Sequence, residues 1–210
     1  MLTTHDQTER IKAILAHGTY DHATGRVSLG DAVVQARQGT VVIPPNAWDD
    51  IRQQAMLQCR QDPAPVAVTA ESTLTALWRL HQAGFQGLGI LNFASAVCPG
   101  GGWDRGSEAQ EESLIRASGL LPCLQSASDF YDANRRHDHP FATDHAIWTP
   151  EVPFITDGQN TLQAAPILAG VITMPAPNVA GLIRLTPKEC LELPRIWERR
   201  IEAVLTLAIA

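Results

Sequence analysis

LNFASAVCPGGGWDRGSEAQEESLIR, residues 91–116, reads as a strand that runs through three consecutive glycines into a helix with an acidic start. The apolar run Leu88 to Phe93 is short, continuous and followed by Pro99, as expected of a strand buried in a sheet. Gly100, Gly101 and Gly102 let the backbone enter conformations closed to other residues and approach a ligand, where their N–H groups can form an anion-binding nest. Taken alone, the glycines read equally well as a flexible turn. Ser107 and Gln110 have the spacing of a capping box, which predicts a helix from Ser107 towards Gln125, interrupted near Pro122. Glu108, Glu111 and Glu112 then fall in its opening turns, at the end of a strand, where α/β folds bind ligands.

Outward from this segment the chain alternates short apolar runs with helical stretches. Val66-Ala67-Val68 is a strand candidate, and Leu74, Leu77, Trp78 and His81 recur at helical spacing before a stop at Gly84. Ala146-Ile147-Trp148 and Gly170 to Met174 are two more strands, the second closed by the extended turn Pro175-Ala176-Pro177-Asn178. Thr186-Pro187-Lys188-Glu189 caps a last helical region that Pro194 restarts. This alternation predicts an α/β sandwich. Before it, helical runs at Thr8 to His17 and Trp48 to Cys59, a turn at Asp21 to Gly25 and the apolar run Val41-Val42-Ile43 precede the connection Gln61 to Pro65. Residues 1–65 are therefore expected to be an N-terminal accessory segment and residues 66–210 the main domain. Ile196 to Ala210 is apolar at helical spacing with no stop signal, so a further C-terminal piece of the domain is expected.

Composition narrows the function classes. The chain has 210 residues and a formal charge of −6, which disfavours non-specific nucleic-acid binding because that needs many cations to release counterions. Direct DNA binding is not expected. No run is long enough to span a bilayer and no basic-apolar leader is visible, so the expectation is a cytoplasmic protein without a membrane partner. Cys59, Cys98, Cys123 and Cys190 have neither zinc-ligand spacing nor the density of a disulfide scaffold, and are expected as free thiols. His137, His139 and His145 match no familiar ligand set and read as a solvated loop, so no metal and no cofactor are expected. The sequence carries no signal for an oligomeric state.

The chemistry centres on the paired carboxylates. Acidic residues at a helix start contribute roughly 0.3 to 1 kcal/mol each through the macrodipole, and one or two of the three could do only that. Glu111 and Glu112 are neighbours, so on a helix they point more than a quarter-turn apart and do not flank one bond as a glycosidase pair does. Separate roles follow: one acid of raised pKa to protonate a leaving oxygen, the other a charged acceptor for sugar hydroxyls. Cys98 has no histidine near it in sequence and reads as a packing residue; Trp103 can stack on a ligand or pack; Phe130 and Tyr131 read as core.

Gly100-Gly101-Gly102, seven residues, then Gln110-Glu111-Glu112 resembles the signature of poly(ADP-ribose) glycohydrolases. LNFASA, PGGG, AQEESL and MPAPN, with GTYDHATGRV at residues 18–27 and WTPEVPFI at residues 148–155, resemble their microbial branch over most of the chain. The resemblance implies a macrodomain-like three-layer α/β/α sandwich that cleaves the ribose–ribose O-glycosidic bond without a metal. It implies Glu112 as the catalytic acid and Glu111 as a ribose ligand. Asn92, Gly100, Gly101, Gly102 and Gln110 would bind the ligand, and the partner would be poly(ADP-ribose) or an ADP-ribosylated protein. A non-catalytic ADP-ribose-binding domain is the alternative, and the intact glutamate pair weighs against it. A dinucleotide-dependent oxidoreductase fits less well, because G-x-G-x-x-G is absent and an acidic helix start repels a pyrophosphate.

Overall fold

A computed structural model describes residues 2–58, 64–137, 139–177 and 186–210; Cys59, residues 61–63, Asp138 and Asn178 of the expected elements lie outside them. Thr3 and Asp6 form a reciprocal cap that opens α1 (Thr4–His17), and Gly18, at φ 68°, ends it. The turn expected near Asp21 joins the hairpin β1 (Thr19–His22) and β2 (Gly25–Ser28). Then come α2 (Ala32–Gln38), β3 (Val41–Ile43), α3 (Trp48–Gln58) and α4 (Thr73–Gln82), the last capped by Ser72. The segment that decides the fold forms β4 (Gly89–Ala94), a glycine-rich loop and α5 (Gln110–Ala117), followed by α6 (Leu120–Ser126) and α7 (Ser128–His137). Two long strands, β5 (Ala146–Thr156) and β6 (Leu162–Pro175), precede α8 (Pro187–Cys190) and α9 (Leu193–Ile209). The cap at Thr186 and Glu189 forms as expected, and Pro194 sits in the first turn of α9.

The main sheet has the order β3-β5-β6-β4, antiparallel except for the parallel pair β4–β6. Its two faces carry separate apolar clusters. Ile147, Val152, Phe154, Ile167 and Val171 pack against Leu114, Ile115, Leu120, Leu124 and the fully buried Phe130 and Tyr131 of α5, α6 and α7. On the opposite face Ile43, Ala146 and Met174 meet Trp48 of α3 and Ala203 of α9. Helices on both faces of one sheet give the expected α/β/α layering. Alternation along β4 puts Ile90 and Asn92 towards α5 and Leu91 towards α9. Residues 2–58 supply the outer strand β3 to this sheet. They also supply a third cluster, in which Ile11 and Ile14 of α1 pack with Tyr20 and with Ile155 of β5.

Three expectations are corrected. Val66-Ala67-Val68 forms no strand: Val66 and Val68 are 89% and 97% exposed, and an apolar run becomes a strand only where a sheet edge offers it partners. The helix expected from Ser107 is two helices that start later, at Gln110. The break falls at Ser118-Gly119, where the Gly119 N–H donates to Pro153 O at 3.0 Å, while Pro122 sits inside the first turn of α6. The strands at Ala146 and Gly170 are far longer than expected, because β5 and β6 pair with each other along their length, and β5 runs through Pro150 and Pro153. A register shift between Thr149 and Val152, with Glu151 at φ 48°, absorbs the first as a bulge.

One buried cation ties the back of the sheet together. Arg200 of α9 is 3% exposed; it donates to Asp144 at 3.0 Å, to Pro175 O at 2.9 Å and to the carbonyls of Phe141 and Thr143. Replacing it leaves the buried carbonyls without their donor, although Asp144 keeps Arg199 at 2.7 Å, so Arg200→Met should lower stability by about 3 kcal/mol in denaturant unfolding. Val68→Asp, on the fully exposed run, should change it by less than about 0.5 kcal/mol.

Candidate active site

Gly102 and Glu112 are joined by the hydrogen bond on which the site is built. The Gly102 N–H donates to Glu112 Oε1 at 2.8 Å, bringing the loop down onto the first turn of α5. Gly100 and Gly101 make this approach with φ of 76° and 61°, in the left-handed region. A Cβ at Gly101 would collide with Glu112 Oε1 and stand 3.1 Å from Glu111 Oε2, so both carboxylates converge on this residue. The glycines therefore bring the loop down onto the two carboxylates, and two of the three N–H groups expected in an anion nest are used within the protein. Gly101 N–H donates to Cys98 O at 3.0 Å and Gly102 N–H to Glu112, so these two donors face inward.

Glu111 and Glu112 are 3% and 7% exposed, and the structure fixes them differently. Glu111 uses both oxygens: Oε2 accepts from the Ser95 N–H at 2.8 Å and Oε1 from Asn92 Nδ2 at 3.4 Å. Asn92, fully buried on β4, also donates to Thr173 Oγ1 at 3.3 Å. Glu112 uses one oxygen only. Its Oε2 is buried without a partner among the described residues, as are Asn92 Oδ1 and the Tyr131 hydroxyl. Burial raises the Glu111 pKa from 4.5 to about 7; the Ser95 and Asn92 bonds oppose the shift and the charge of Glu112 adds to it. Tyr131 borders this pair, its phenol pushed up by burial and then by the charge of Glu111.

Gln110 does not cap the helix with Ser107. Ala109 is the N-cap, without a side-chain bond, and the expected box is absent. The Gln110 amide instead accepts from Phe93 N–H at 2.8 Å and donates to Leu91 O at 2.8 Å and Thr73 Oγ1 at 3.0 Å. Since β4 is an edge strand, this amide takes the place of a neighbouring strand and pins the start of α5 to the sheet. Glu108, expected in the helix, lies in the loop and accepts from the Thr4 hydroxyl.

Sequence reasoning missed Ser95 and Arg116, while Tyr131, read as core, is buried in it. Arg116 had a legible signal, since it lies four residues after Glu112 on one helix face. Cys98 is exposed rather than packed, while Trp103 packs, bridging two core clusters with Lys12 Nζ 5.5 Å from its ring centre. Cys98, Cys123 and Cys190 are free. His139 contacts Glu189 at 3.3 Å and His145 pairs with Thr143 at 2.8 Å, so these two histidines tie their loop down rather than sit free in solvent.

The fold and site so far define a three-layer α/β/α sandwich that holds two buried carboxylates, Glu111 and Glu112, at a strand-to-helix glycine loop. Residues 8–157 match the family described as "Microbial-type PARG, catalytic domain". Poly(ADP-ribose) glycohydrolase (PARG) from Thermomonospora curvata is similar at 34% identity and TM-score 0.89, over 98% of this chain and 74% of that one. Its complex with the inhibitor ADP-HPD gives 33% and 0.87 over the same shares. The Deinococcus radiodurans enzyme in complex with ADP-ribose gives 35% and 0.79, over 87% of this chain and 73% of that one. No curated protein matches the chain. The chain belongs to the microbial-type poly(ADP-ribose) glycohydrolases, and is a glycosidase by family. Among the described residues no helix is long and apolar enough to cross a membrane.

The raised pKa of Glu111 links stability to pH. Its folded value of about 7 lies above the ordinary 4.5, so its contribution to stability is full below pH 4.5 and is lost as pH rises through about 7. Glu111→Gln removes the titration. The variant should melt at a temperature increasingly above that of the parent as pH goes from 5 to 8, by a few degrees at the upper end. Thermal melts across that range check it, and parallel curves would show that Glu111 ionises normally.

Proposed function

We propose that this chain hydrolyses the ribose–ribose O-glycosidic bond of poly(ADP-ribose), releasing ADP-ribose, with Glu112 as the acid and then the base. The free Oε2 of Glu112 carries the reading. Its sister oxygen is held by the Gly102 N–H, so the carboxyl is oriented, and Oε2 has no other partner among the described residues. Burial gives Glu111 the raised pKa expected of a proton donor, but Glu111 has both oxygens engaged and is better suited to hold a sugar, so the free oxygen of Glu112 and not the pKa assigns the roles.

In this mechanism Glu112 donates its proton to the oxygen of the departing ribose as the C1–O bond breaks. The resulting oxocarbenium-like centre is stabilised by the nearby diphosphate of the substrate. Water then attacks C1 and passes a proton to Glu112, which restores the acid and leaves a hydroxyl on each product. Glu111, fixed by Ser95 and assisted by Asn92, takes the ribose hydroxyls with its remaining lone pairs. Gly100, Gly101 and Gly102 line the approach to the diphosphate and ribose, and Gln110 keeps α5 in register with β4. The partner is poly(ADP-ribose) or an ADP-ribosylated protein. A cytoplasmic location belongs to the same reading, supported by the free thiols of Cys98, Cys123 and Cys190.

Incubation of the purified protein with poly(ADP-ribose) should release free ADP-ribose, and Glu112→Gln should slow that release by about 10²–10⁴-fold. ADP-ribose should still bind the variant within about threefold of the parent by calorimetry, a difference under about 0.7 kcal/mol. Binding by the parent without release would make the protein a reader of ADP-ribose instead.

A further inference from the structure

We propose that Arg116 is a positioning residue for Glu112, acting through the loop of residues 102–107; this rests on the reading of Glu112 as the acid. Arg116 stands on the last turn of α5 and is 3% exposed. Its Nη1 donates to Trp103 O at 3.0 Å and its Nη2 to Ser107 O at 2.8 Å. Those two carbonyls mark the ends of a closed turn, because Gly102 O accepts from Arg105 N–H at 2.9 Å and from Ser107 N–H at 3.2 Å. The guanidinium thus staples both ends of the turn whose first residue, Gly102, holds Glu112.

A second donor reaches the same point from another element. The Thr8 hydroxyl of α1 lies 3.1 Å from Trp103 O and 2.9 Å from Thr4 O, so its single proton is shared between the two carbonyls and adds a weaker hold on the one that Arg116 binds. Burying a guanidinium is expensive, and here burial pulls its pKa down while the charges of Glu112 and Glu108 act against that shift. Packing alone would be served by an apolar residue. The planar fork meets two carbonyls at once, which a lysine, with its single ammonium, cannot reproduce. Loss of the staple frees Gly102 to move, and displacing a catalytic group by an ångström can cost about 10²-fold in rate.

Arg116→Met, Arg116→Lys and Thr8→Val are assayed for ADP-ribose release, and amide hydrogen exchange is followed across residues 101–107. Arg116→Met should lower kcat by about 10- to 100-fold while KM stays within about threefold. Arg116→Lys should fall between it and the parent. Thr8→Val should give a smaller loss, and Arg116→Met with Thr8→Val less than the product of the two, since both donors serve one carbonyl. Exchange at residues 101–107 should quicken in Arg116→Met while residues 113–115 stay protected. Parent-like kcat in Arg116→Met, a change confined to KM, or unaltered exchange at residues 101–107 would overturn the proposal. A parent that releases no ADP-ribose refutes the proposed activity instead, and exchange still decides whether Arg116 holds the loop.

Discussion

The hydrogen bond from Gly102 N–H to Glu112 Oε1 is the constraint on which the site depends. It requires a backbone to come within 2.8 Å of a side chain at the start of the next helix. Gly100 and Gly101 permit this because they adopt positive φ, and Gly101 also because a Cβ would occupy the space of the Glu112 carboxylate. The rest of the architecture holds the two sides of that bond still. Gln110 fastens α5 to the free edge of β4, the parallel pairing of β4 with β6 fixes the strand, and Arg116 with Thr8 closes the loop.

A core of this kind would be more stable without its polar cluster. Glu111, Glu112, Asn92 and Arg116 are all buried, and Asn92 Oδ1 and Glu112 Oε2 are unpaired among the described residues. Unsatisfied buried oxygens cost stability, and such groups collect where a protein acts on a ligand. The asymmetry within the pair is the useful result. Glu111 is bonded through both oxygens and carries the raised pKa, whereas Glu112 is oriented by one bond and keeps an oxygen free. Burial, and not contact with a specific charge, is the largest cause of the Glu111 shift, so the cluster depends on α5 lying flat against the sheet.

Much of this was legible in the order of residues. The strand, the glycines and the adjacent glutamates lie within one 26-residue stretch, where local rules of periodicity and conformational freedom apply directly. The illegible parts depend on partners distant in the chain. Gln110 has the spacing of a capping box with Ser107, and only the bare edge of β4 draws its amide elsewhere. Val66 and Val68 have strand propensity and no edge to join. The strand expected at Ala146 to Trp148 continues past Pro150 because a bulge against β6 carries it there.

The sequence by itself determined the layered α/β class, the glycine turn and the place of Glu111 and Glu112 at the helix start, because these follow from backbone freedom and side-chain period within a few residues, although it put Glu108 there too. Tertiary structure decided which oxygen is free, that burial raises the Glu111 pKa, and that α1, 95 residues upstream, reaches the loop. Those properties are set by burial and by hydrogen bonds between elements that only folding brings within 3 Å of one another.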